Sequence, residues 1–143
     1  MFSKIASVLG AGVLAVGGMV LAAAPASAET NPHCARSTQI GSTAYITWNG
    51  QTAASVKQYA GCGQNFGYVY VWEGFRSSHR SYEICAAVRA NGDAREGTQC
   101  SDPRKAQAEI WSLGTNTLNK CTRADGNLSI GGTERSARTS ERC

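Results

Sequence analysis

Several things are missing from this chain, and each absence removes a class of function. Beyond Ala28 no apolar run approaches the roughly 20 residues that a membrane-spanning helix needs. No two cysteines stand as C-x-x-C. The nearest pair, Cys85 and Cys100, is 15 positions apart, whereas a small cation is gripped by ligands from adjacent turns. There are only two histidines, His33 and His79, and no G-x-S-x-G, H-E-x-x-H or phosphate-loop pattern. Nor is there a clustered basic stripe of the kind that nucleic-acid binders carry. No stretch after Ala28 sustains an i, i+3, i+4 apolar repeat, which excludes a helical bundle. These gaps lead to an expectation of no metal, no cofactor, no catalytic residue and no nucleic-acid partner.

What is present begins with an export signal. Lys4 precedes an uncharged run, Ile5 to Ala24, rich in Ala, Val, Leu and Gly, and Ala26-Ser27-Ala28 supplies the small residues of a cleavage site. The run is long enough to anchor in a bilayer, but its four glycines and the Ala-x-Ala ending favour cleavage between Ala28 and Glu29. There is no twin Arg and no Cys at the cut, so neither a Tat nor a lipoprotein route is indicated. The expected organisation is a signal peptide over 1–28 and a single secreted domain over 29–143, with no membrane contact once the signal is removed. Lys4 is the one charged residue of the leader, so the domain keeps 13 of the 14 Lys and Arg against 10 acids, a mild net of about +3.

All six cysteines, Cys34, Cys62, Cys85, Cys100, Cys121 and Cys143, lie in the exported part, and an even number in an oxidising compartment reads as three disulfides. Each would offset the modest core of a small domain by roughly 2–4 kcal/mol through its constraint on the unfolded chain.

The dipeptides Asn49-Gly50, Asn91-Gly92 and Asp125-Gly126 tolerate positive φ at both central turn positions and predict hairpins. Period-2 alternation runs through Thr43–Trp48, Phe66–Phe75, Ser81–Ala90 and Ala106–Leu113, with Leu118–Arg123 and Asn127–Gly131 flanking the third turn. Asp102-Pro103 resembles a helix start, so a single helical turn could follow it. The fold class expected is all-β, an antiparallel sandwich, Ig-like or related, of about seven short strands. Pairing across Asn49-Gly50 sets Cys34 opposite Asn65, near Cys62, and pairing across Asn91-Gly92 sets Cys85 opposite Thr98, near Cys100. Cys121 and Cys143 are left as the third pair. The last bridge would pin a Ser-, Thr-, Arg- and Glu-rich tail, 131–142, that would otherwise look disordered.

Two groups of residues are candidates for recognition. Tyr68, Tyr70 and Trp72 share one face of a strand. Paired through the loop 76–80, they would lie opposite Val88, Ala86 and Ile84, which makes them core; left uncovered, they would be a binding platform. Arg76, His79 and Arg80 place three potential cations at the expected hairpin tip, suited to an acidic partner. Glu73 beside them completes the parts a small ribonuclease would use, a base, an acid and phosphate clamps, without an evident rigid scaffold.

The leader ending Ala24-Pro25-Ala26-Ser27-Ala28, with Cys34 early and Cys143 last, resembles the format of small disulfide-bonded secreted proteins of filamentous actinobacteria. That group includes proteinaceous enzyme inhibitors and adaptor subunits of secreted toxin particles of the umbrella type. The resemblance implies an extracellular, non-enzymatic module whose partner is another protein. A secreted hydrolase of ribonuclease type and a carbohydrate-binding module are the alternatives, the latter requiring an exposed aromatic ladder.

Overall fold

A computed structural model describes residues 29–92 and 94–143; the expected signal peptide lies outside them. Eight strands form two antiparallel sheets of four. They are β1 (Thr38–Trp48), β2 (Gln51–Gly61), β3 (Gln64–Val71), β4 (Glu83–Ala90), β5 (Ala94–Cys100), β6 (Glu109–Trp111), β7 (Thr122–Ile130) and β8 (Thr133–Arg138). The first sheet has the order β1-β2-β3-β6 and the second β5-β4-β7-β8. This is the all-β, disulfide-stapled sandwich the sequence predicts, with one strand more than expected.

Asn49 (φ 48°) and Gly50 (φ 79°) both sit in the left-handed region, and Trp48 pairs with Gln51, so the first hairpin closes on a two-residue turn. At Asn91-Gly92 the register closes Ala90 on Ala94, a loop one residue longer than the dipeptide predicts. That shift, with an irregularity between Ala86 and Val88, brings Cys85 directly opposite Cys100. The bridges are Cys34–Cys62, Cys85–Cys100 and Cys121–Cys143, the pairing that hairpin arithmetic suggests.

Three local expectations fail for identifiable reasons. Asp125-Gly126 is not a turn: both residues lie inside β7, a central strand. A Cβ on Gly126 would fall 2.5 Å from Val56 and 2.7 Å from Val69, so glycine is there to let the sheets approach, and the turn moves to Gly131-Gly132. Thr122 rather than Leu118 opens β7, and the tail becomes β8, hydrogen-bonded along β7. After Asp102 there is a turn, not a helix; the Asp102 carboxylate accepts from the Arg104 backbone and guanidinium.

The larger correction concerns β3. It does not pair with β4. Glu73–Arg76 winds into a single helical turn, α1, and carries the chain from one sheet to the other. Phe75 plugs the crossover, fully buried against Trp48, Tyr82 and the His79 ring, which stacks on it at 3.9 Å. Val69 and Val71 therefore point between the sheets, with Ile46, Val56, Ile84, Ala124 and Leu128, while Tyr68 and Tyr70 point the other way.

Both lateral seams of the sandwich are fastened. On one side Leu113 donates its N–H to the Gly97 carbonyl at the irregular edge of β5 (2.8 Å). On the other, Ser42 of β1 donates to Ser140 Oγ (2.9 Å), next to a Thr122–Arg142 bridge that holds the end of the chain.

Candidate binding groove

The outward face of the first sheet is built in rows by register. Tyr45 of β1 pairs with Ser55 of β2, Ser55 with Tyr70 of β3, and Tyr70 with Glu109 of β6. The next row holds Lys57, Tyr68 and Trp111. Neighbouring strands lie about 4.8 Å apart, so Tyr45 and Tyr70, two strands apart with the small Ser55 between them, stand about 10 Å from one another as walls. Trp72, just past the end of β3, meets Tyr70 at 5.6 Å and 87°, which makes a corner of two rings. The resulting groove encloses about 650 Å³.

Half of this face is covered. The segment Glu29–Cys34 crosses it as a strap, held by Cys34–Cys62, by His33 lying parallel to Phe66, and by the Glu29 carboxylate, which accepts from Lys57 Nζ (2.5 Å) and from the Tyr59 hydroxyl. Beneath it Cys34, Tyr59, Phe66, Tyr68 and Trp111 form a second apolar cluster, separate from the one between the sheets. The rings of Tyr68 and Trp111 lie 4.4 Å apart. Tyr68 is 1% exposed, yet its hydroxyl reaches Glu109 Oε2 at 2.5 Å. Burial first, and then this bond to a carboxylate, push the Tyr68 pKa far above its ordinary value, so the group stays a proton donor. The uncovered half keeps Tyr45 55% and Trp72 46% exposed.

The ladder is thus split. Tyr68 is core, though of the outer cluster; Tyr70 and Trp72 line the open groove. Tyr45, Lys57, Glu109 and Glu29 join them from other parts of the chain. Of these, only Tyr45 carried a readable signal, as an aromatic on the polar side of an alternating strand.

Arg76, His79 and Arg80 are not a hairpin tip. Arg76 Nε donates to the Val71 carbonyl at 3.0 Å, and the His79 ring, stacked on Phe75, has Nδ1 3.0 Å from the Phe75 carbonyl. Those two side chains fasten the crossover, and Arg80 is exposed beside them. Among the described residues no hydrogen bond or ion pair joins Glu73, Arg76, His79 and Arg80 to one another. Glu83 lies close to Cys85 and Cys100 in a spacing that could suit a metal, but both sulfurs are committed to a disulfide.

The second sheet turns a different surface outward. Asp125, 2% exposed, lies 2.6 Å from Arg89 Nε, 3.1 Å from Arg95 Nε and 3.7 Å from Arg138 Nε, and Arg95 also donates to Asn127 Oδ1.

No family model matches the chain, and neither a curated protein nor a solved structure does.

Proposed function

We propose that this chain is a secreted, non-enzymatic module that binds another protein, as an inhibitor or as an adaptor in an extracellular assembly, and that it does so through the open half of the first sheet's outer face. The observation that carries this reading is the set of rings, exposed Tyr45 and Trp72 with half-buried Tyr70 between them, standing around a groove on the first sheet. Tyr and Trp bring large contact area at little conformational cost, and they dominate binding hot spots. The disulfides are compatible with an extracellular setting, and with the strap they hold the rings in place before any partner arrives, which lowers the ordering cost of association.

One observation favours a second reading, a carbohydrate-binding module. The same rings are interleaved with hydroxyl, amide and carboxylate side chains, Thr43, Gln39 and Glu109, as a sugar site would require.

Affinity capture separates the two. The disulfide-bonded protein is immobilised and exposed to culture supernatant of the producing organism, beside a Tyr45→Ala/Trp72→Ala variant. One protein retained at fixed stoichiometry by the wild type and lost by the variant supports the first reading. Retention that is equal for both puts recognition elsewhere, and elution by a neutral oligosaccharide supports the second.

A further inference from the structure

We infer that the groove receives a cationic side chain of the partner protein, whose ammonium or guanidinium group pairs with Glu109 beside Tyr70 while its stem lies along the groove that Trp72 and Tyr45 wall. This rests on the reading of the groove as the protein-binding face, and it follows from how the groove's charges are already spent. Besides its tyrosines, three ionisable side chains line it: Glu29, Lys57 and Glu109. Lys57 and Glu29 neutralise each other at 2.5 Å. Glu109 is left. Its Oε2 takes the Tyr68 hydroxyl proton, a neutral donor that leaves the carboxylate's charge in place, and Oε1 has no partner among the described residues. Glu109 is exposed and is the cross-strand neighbour of Tyr70.

A carboxylate beside the exposed edge of a ring, as Glu109 is beside Tyr70, is a site for a cation. Aromatic faces carry negative potential and attract a cation within about 6 Å of the ring centroid, and a carboxylate adds a charge-assisted hydrogen bond. The chain as a whole is mildly basic, so attraction acts only at short range, within the roughly 8 Å over which charges are felt at physiological salt. A neutral sugar fits less well. Lys57 is committed, Ser55 is buried, Gln39 donates to Thr43, and the strongest remaining acceptor is a carboxylate carrying full charge.

The test is isothermal titration of the disulfide-bonded protein with N-acetyl-arginine methylamide and N-acetyl-lysine methylamide. N-acetyl-glutamine methylamide and a neutral N-acetylglucosamine trimer serve as comparators. The cationic probes are expected to saturate with a Kd on the order of millimolar, tightening at low salt, and the neutral probes are not expected to bind. Glu109→Gln keeps an acceptor for Tyr68 and an unchanged melting temperature, yet should weaken the cationic probes about tenfold. Absence of saturable binding by both cations up to roughly 50 mM, well past the expected range, overturns the inference, as does an indifferent Glu109→Gln. Binding of the trimer at comparable strength overturns it in favour of a saccharide. If the cations fail while Tyr45→Ala/Trp72→Ala still abolishes capture of the partner, the groove remains the protein-binding face and only the cation is lost.

Discussion

Toward solvent the first sheet shows Tyr45, Tyr70 and Trp72 around an open groove, and the second shows Arg89, Arg95 and Arg138 gathered on Asp125. Their inner faces are alike, small and branched apolar residues with Gly126 where the approach is closest. The fold is therefore specified by one face of each sheet, and the other faces are free to diverge. On the second sheet the polar groups answer one another. On the first, the strap answers half the face and leaves the rest with rings and a carboxylate that nothing in the described chain covers. That asymmetry is why recognition is assigned to the first sheet.

The sharpest way to break the comparison is within a single row of aromatics. Tyr68→Ala should cost about 4 kcal/mol in chemical denaturation, because the outer cluster beneath the strap is a true core. A cost near 1 kcal/mol would mean the strap is a loose cover and the two outer faces differ less than described. Asp125→Ala should follow at about 3 kcal/mol, since it leaves guanidiniums crowded around a buried site without their counter-charge. If that variant is nearly as stable as the parent, the second sheet's arrangement is solvated decoration.

Alkaline pH sharpens the contrast differently. The folded Tyr68 pKa is raised above its unfolded value of 10.0, so its contribution is fully present below pH 10 and is lost as pH rises beyond it. Melting temperature should fall more steeply above pH 10 in the parent than in Tyr68→Phe. Tyr82, also raised by burial, accounts for part of the remaining slope. Smallest of all should be Trp72→Ala, at under about 1 kcal/mol, since the ring is 46% exposed and covers little core. Its effect is expected in the capture experiment instead, and a large loss of stability would show that the ring supports the crossover.

Much of the fold is legible in the sequence because its signals are local. Asn49-Gly50, the alternation in β1, β3 and β4, and the cysteine spacing lead to the sandwich and its bridges. Asp125-Gly126 carries the same turn signal and is a strand, because the demand for glycine comes from Val56 and Val69 on the other sheet, far away in the chain. The shared face of Tyr68 and Tyr70 is readable from period 2. Its neighbours are not, since one buried ring, Phe75, sends the chain across to the opposite sheet. The groove was the least readable element. Pairing straight back from Asn49-Gly50 would set Tyr45 opposite Ala54, and only the irregularity after Ile46 sets it opposite Ser55, in line with Tyr70 and Glu109.

The closed seams have a consequence for how such a protein survives. A sandwich normally exposes outer strands whose free N–H and C=O groups invite further strands and, in time, fibres. Here the irregular stretch of β5 is taken up by Leu113, and β1 meets the bridged end of the chain through Ser42 and Ser140. A concentrated solution of the oxidised protein should resist amyloid-type assembly on prolonged agitation. Selective reduction of Cys121–Cys143, which frees the stretch guarding β1, should bring on thioflavin-positive aggregates well before the domain unfolds.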